Sequence, residues 1–245
     1  MIILDNISNM RGEFTLIEEK NGEKNIIVED HNLIVNNAKE SMAEVLAGGS
    51  TAEEGGVSFK APISRFELGT GANSGTSVSK TPTAGMNELY AKTARDGGDT
   101  TQEIYCIDFM PAGEGVVPNS KIYEYDSDVF WNDAGTGTYS GPANYANKID
   151  TSSGPSTVSV SYVNTSGYIE GIEFTIVLPE VRGNQNGSPS APIYYSEAGL
   201  FVRKGDLDTT SGEAALNTDM FAMKTFPPKP KDSNSKWTIR WKILW

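Results

Sequence analysis

Few residues in this chain are of types that make or break bonds. There is one histidine, His31, and one cysteine, Cys106. A Ser-His-Asp or Cys-His arrangement would have to use that histidine. His31 follows Glu29-Asp30 at the end of an apolar run, which suits an exposed turn better than a catalytic base. Cys106 sits inside Glu103-Ile-Tyr-Cys-Ile-Asp-Phe109, where a buried packing thiol is expected. No Cys/His cluster has the spacing of a zinc site. The run Gly69-Thr-Gly-Ala-Asn-Ser-Gly75 follows a strand-like segment, as a phosphate-cradling loop does. Its glycines do not have dinucleotide spacing, no helix follows to supply amides, and no Lys-Ser/Thr pair closes it. A flexible turn is the expectation. Asp126, Asp128, Asn132 and Asp133 are close together, but Phe130 and Trp131 occupy places where a calcium loop needs an oxygen ligand and a glycine. Carboxylates abound without any two standing out as a glycosidase pair. No enzymatic activity, cofactor or metal is expected.

Charge narrows the partners. Lys plus Arg number 20 and Asp plus Glu 32, a net charge of −12. Such a chain is repelled by nucleic-acid phosphates and anionic lipid. No stretch reaches the ~20 apolar residues of a membrane span, and Met1–Phe14 lacks the basic leader of a signal peptide. Synthesis and assembly in a cytoplasm are therefore expected.

The elements that would position these residues are mostly strands. Hydrophobic residues are 38% and charged residues 21%, enough for a buried core, and runs of helix formers are rare. Phe14–Glu19 and Asn25–Asp30 read as a hairpin around Asn21-Gly22, a pair that tolerates positive φ. Asn32–Val35 leads into one short helix, with Asn37 and Glu40 as a near capping box. Its apolar stripe is Met42, Val45 and Leu46, and Gly48-Gly49 stop it. Strands follow at Ile63–Leu68, more weakly at Met86–Thr93, and at Glu103–Met110. Residues 111–155 read as a long exposed excursion with one strand at Lys121–Tyr125 and six aromatics: Tyr123, Tyr125, Phe130, Trp131, Tyr139 and Tyr145.

Alternation returns after Ser156. Val158, Val160 and Tyr162 share one face. After Gly171, Ile172, Phe174, Ile176 and Leu178 share another, and Ile193–Arg203 is a bulged strand or strand pair. At the C-terminus Trp237, Ile239, Trp241, Ile243 and Trp245 take every second position, opposite Thr238, Arg240 and Lys242. That period of two puts the indoles on one side of a sheet. The whole predicts a mainly β fold. It is an antiparallel β-sandwich in one domain, 1–245, with one short α-helix and the irregular mid-chain excursion. Within it lie the hairpin plus helix at 12–48 and the C-terminal strands at 156–245. Met42, Val45, Leu46, Ile172, Phe174, Ile176, Leu200, Trp237, Ile239, Trp241 and Ile243 are the expected core. Phe14, Leu16, Ile26 and Val28 of the hairpin join the six excursion aromatics as the expected contact surface.

Four segments in order carry a resemblance. They are Asn32–Gly48 (NLIVNNAKESMAEVLAG), Ile63–Ala72 (ISRFELGTGA), Tyr195–Val202 (YSEAGLFV) and Met220–Ile243 (MFAMKTFPPKPKDSNSKWTIRWKI). This outline resembles a group of tailed-bacteriophage virion structural proteins that includes tail-fibre attachment, baseplate and neck components. It covers both ends and part of the middle, and residues 111–190 fall outside it. The resemblance implies a homo-oligomeric virion subunit, assembled in a host cytoplasm, that binds other virion proteins and neither nucleic acid nor membrane. A capsid decoration protein is one alternative. A carbohydrate-binding module using the aromatics of 120–145 is another, and a glycan-cleaving enzyme with two carboxylates in a cleft is a third. In the second segment pair, Ala198-Gly199 should let another stretch of chain come close. Phe226–Pro230 should be a stiff connector delivering the Trp strand.

Overall fold

The computed structural model describes residues 10–47, 63–91, 102, 104–109, 122–125, 156–165, 167–180, 182–183, 192–203 and 218–245. The hairpin forms where the sequence places it. Strands β1 (Arg11–Lys20) and β2 (Glu23–Ile34) meet at Asn21 and Gly22, both at positive φ, 54° and 82°. That is the backbone a two-residue turn needs to match the strand twist. Helix α1 spans Asn36–Ala47. It starts one residue before the expected cap, because the Val35 carbonyl already accepts from the Ala38 amide, and Asn37 lies inside the first turn. Ala38 is buried and Met42 packs against the core. The Val45 and Leu46 side chains lie outside the described residues.

The remaining strands are β3 (Ile63–Gly69), β4 (Asn73–Ser74), β5 (Ser77–Val78), β6 (Ile104–Phe109), β7 (Ile122–Tyr125), β8 (Thr157–Thr165), β9 (Tyr168–Leu178), β10 (Ile193–Arg203), β11 (Thr218–Lys231) and β12 (Ser235–Leu244). Apart from the β4–β5 pair they join β1 and β2 in one antiparallel sheet, ordered β7-β6-β3-β10-β11-β2-β1-β12-β9-β8. Strand β2 is the joint. Its residues 23–32 pair with β1, and Leu33 and Ile34 pair with Met223 and Ala222 of β11. The sheet curls there, and one buried cluster draws on both of its halves, which is consistent with the expected sandwich.

The inner faces make the core. Phe14 and Leu16 align with Trp241 and Ile239, which align in turn with Phe174 and Ile176. Opposite them lie Phe66, Leu68, Ile107, Leu200 and Phe226. Phe14 and Leu16 are therefore core, not contact surface, since the alternation turns them to the side that β12 completes. Trp241 meets the Phe14 ring edge-on at 5.1 Å and the Phe66 ring at 6.4 Å, and Phe14 stacks on Phe226 at 5.7 Å. The indole nitrogens of Trp237 and Trp241 are buried without a hydrogen-bond partner among the described residues. An unmade bond costs about 1–3 kcal/mol. Burying ~150–250 Å² of ring at ~25 cal/mol per Å² contributes about 4–6 kcal/mol, so the ring wins. Trp245 departs from the pattern. It follows the last paired residue and is 56% exposed.

Two other expectations change. Residues 86–91 form no strand and cross the outer face of β10, where Leu89 packs with Phe201, Met220 and Met223. Phe226–Pro230 is not a connector but part of β11. The ladder steps from Tyr195–Lys229 to Glu197–Thr225, leaving Phe226, Pro227 and Pro228 bulged opposite Ser196. Prolines have no amide to donate, so a bulge is where a ladder tolerates them. Replacing Trp241 separates ring area from the indole N–H. Trp241→Ala should cost about 3–5 kcal/mol in urea unfolding. Trp241→Phe should cost much less, because it keeps a ring against Phe14 and Phe66 and removes the orphaned donor.

Candidate functional site

The polar groups best placed for chemistry are committed inside the fold. Glu197 on β10 is fully buried. Its Oε1 accepts from the Gly71 and Ala91 amides at 2.9 and 2.8 Å, and its Oε2 accepts from the Tyr90 amide at 2.9 Å. Next to it, the Ser196 hydroxyl accepts from the Ala72 amide at 3.2 Å. Two amides of Gly69–Gly75 are thus taken by this chain's own side chains, Gly71 by the Glu197 carboxylate and Ala72 by the Ser196 hydroxyl. Gly71 is fixed by packing, since a Cβ there would lie 2.1 Å from the Ala91 nitrogen. Gly199 behaves as its sequence suggests, because a Cβ there would press on the Phe201 ring and Leu89.

Lys231 is the counterpart at the other end of the core. Its ammonium is buried and donates to the carbonyls of Pro179, Glu180 and Asp232 at 3.1, 3.2 and 3.0 Å. Three donors meet three acceptors. Burial still pulls this amine down to about 8, against the upward pull of Asp232, Glu180 and Glu18. Cys106 is buried, with its Sγ 4.0 Å from Glu67 Oε1. His31 is exposed but lies within β2, paired with Glu13, rather than in the expected turn, because the strand runs on to Ile34; its backbone amide donates to Asp30 Oδ1. Among the described residues no three His, Cys, Asp or Glu side chains gather as metal ligands.

The surface of the described residues carries two further features. The outer face of β2, β1 and β12 carries a shallow groove around Ile17 and Ile26, rimmed by Glu29, Asp30, Arg240 and Lys242. Ile26 is exposed as expected of a contact residue, and Val28 is half-buried against the core. Strand β7 includes Tyr123 and Tyr125, but their side chains, together with Phe130, Trp131, Tyr139 and Tyr145, lie outside the described residues. So do Asp126, Asp128, Asn132 and Asp133.

The larger apolar surface was not anticipated. Val160, Tyr162, Tyr168 and Ile169 on the β8–β9 hairpin are exposed, and the Trp245 amide donates to the Glu170 carbonyl of the same hairpin at 3.0 Å. Alternation shows that Val158, Val160 and Tyr162 share a face, and they do. It does not show that the opposing half of the sheet covers only Val158. A strand of nine residues with no charge, proline or glycine was the available signal. Comparison of the chain with protein-family models, curated proteins and solved structures found no match.

The Glu197 clamp has a pH signature. Burial pushes its carboxyl up from 4.5 to about 7, against the pull of the three amides and Lys80. Between those values the folded chain holds the proton and the unfolded chain releases it. Stability from this group is therefore greatest below about pH 4.5 and falls as pH rises to 7, by on the order of 3 kcal/mol. Glu197→Gln sets an amide nitrogen against a backbone N–H. It should be less stable than the parent at pH 5, and that gap should narrow by pH 8 in urea titrations.

Proposed function

We propose that this chain is a structural subunit of a tailed-bacteriophage virion, acting by docking on neighbouring proteins rather than by chemistry. The observation that carries this reading is where the polar and apolar groups are spent. The Glu197 carboxylate and the Lys231 ammonium close the fold on itself, while large apolar side chains face outward on the β8–β9 hairpin. Exposed aromatic and β-branched residues on a rigid sheet are the raw material of protein contacts.

The segments that resemble virion proteins also support it, because they hold one another. The Val35 amide donates to the Phe221 carbonyl at 3.1 Å, joining the first segment to the last. Glu197 of the third segment clamps Gly71 of the second. Trp241 of the last packs on Phe66 of the second. A capsid decoration protein would use the same logic at a different place in the particle.

Peptide mass spectrometry of purified particles tests this reading. The chain should be recovered in fixed stoichiometry with the other structural proteins and resist high-salt washing. Its absence from particles, with turnover of a polysaccharide by the purified protein, would replace the reading with an enzymatic one.

A further inference from the structure

A ten-stranded open sheet has exposed edges, and proteins normally blunt them with charge, proline, bulges or short length. Strand β7, at one end, has four residues and carries Glu124. The stretch of β2 that is paired on one side only among the described residues carries Glu23, Lys24, Glu29 and Asp30, and a bulge lies opposite the Leu16–Ile17 step. Strand β8, at the other end, is nine residues long without charge or proline, and the one register shift of its ladder, after Val163, lies on the β9 side. Thr157–Thr165 reads TVSVSYVNT, with no charge, proline or glycine, and its register with β9 is unbroken from Thr157 to Val163. Val160 is 54% and Tyr162 67% exposed. Among the described residues no strand pairs with its outer side.

We infer that the β8 edge pairs antiparallel with β8 of a second copy of this chain, joining two sheets across a two-fold axis at Val160. The inference rests on the assembly reading above and names its partner. A two-fold axis at Val160 uses the whole unbroken stretch and keeps like faces together. Val160 lies opposite Val160, Val158 opposite Tyr162, Ser159 opposite Ser161, and Thr157 opposite Val163. Residues directly opposite in such a ladder interact face by face, and β-branched and aromatic pairs are favourable there. Electrostatics also select this edge. Two chains of net charge −12 repel each other, and β8 offers a ladder in which no charged side chain opposes another. A ladder confined to Thr157–Val163 is small beside the ~800 Å² per partner of a standard stable interface. The association is therefore reversible and concentration-dependent. Screening the repulsion with salt strengthens it.

Sedimentation equilibrium of the full chain, alone and as Tyr162→Lys, tests the pairing, with circular dichroism as the check on folding. The parent should dimerise reversibly and more tightly in added salt, and the lysine variant should dimerise at least tenfold more weakly. Val160→Cys should form a disulfide-linked dimer under mild oxidation, since its partner is the same residue directly opposite. Asn25→Cys on the β2 edge should not, and Cys106 is buried and silent. A parent that stays monomeric, a dimer indifferent to Tyr162→Lys, or cross-linking through Asn25→Cys instead of Val160→Cys would each overturn the pairing. If Tyr162→Lys fails to fold, the cysteine pair decides alone. A monomer recovered from particles would overturn the pairing and leave the virion reading standing. A dimer absent from particles would do the reverse.

Discussion

The edge-on packing of Trp241 between Phe14 and Phe66 is the contact on which the rest of the molecule depends. Phe14 is on β1 and Phe66 on β3, so one indole spans both halves of the curled sheet. Strand β12 earns that position by pairing along its length with β1 on one side and β9 on the other. A twisted sheet of ten strands would otherwise leave one apolar face open to water. Curling at β2 buries that face against itself. The two indole nitrogens left without partners among the described residues show that area was favoured over hydrogen bonding at this site.

Once the core is closed, two of the buried charged groups lock loops to it. Glu197 holds Gly71, Tyr90 and Ala91 to β10, and Lys231 holds the segment after β9 to the β11–β12 turn. Both charges are buried, and both are displaced from their ordinary titration range by that burial. The outer face tells the opposite story. Arg240 pairs with Glu173, Lys242 with Glu13, Lys20 with Asp232 and Lys224 with Asp30, each at or near solvent. Exposed pairs of this kind add little stability. They neutralise cross-strand neighbours on a chain with excess negative charge. Strand β8 stands apart from this pattern because it contributes no charge at all.

Local rules made much of this legible. The Asn21-Gly22 turn and the indole period of β12 follow from backbone tolerance and a repeat of two, while Ile193–Arg203, read as a bulged strand or a strand pair, is one strand whose partners β11 and β3 carry the bulges. Long-range pairing was what the sequence withheld. Phe14 and Leu16 looked like surface because nothing local says that β12 will lie beside β1. The prolines of Phe226–Pro230 looked like a connector because a bulge opposite Ser196 exists only once β10 is in place. Residues 86–91 carry a strand's composition, yet the Tyr90 and Ala91 amides are taken by a carboxylate more than a hundred positions away. Glu197 itself was visible only as part of Glu-Ala-Gly-Leu-Phe. Its role needed the fold, since no local pattern separates a clamping carboxylate from a solvated one.

In the proposed assembly the chain works through the apolar β8 edge while Trp241 keeps the core closed. Hydrogen–deuterium exchange at low and high protein concentration tests it most directly. Ser235–Leu244 amides should be protected at both concentrations, while Thr157–Val163 amides should exchange readily in dilute solution and slow markedly when concentrated. Equal exchange of Thr157–Val163 at both concentrations, or early loss of protection along Ser235–Leu244, would contradict it.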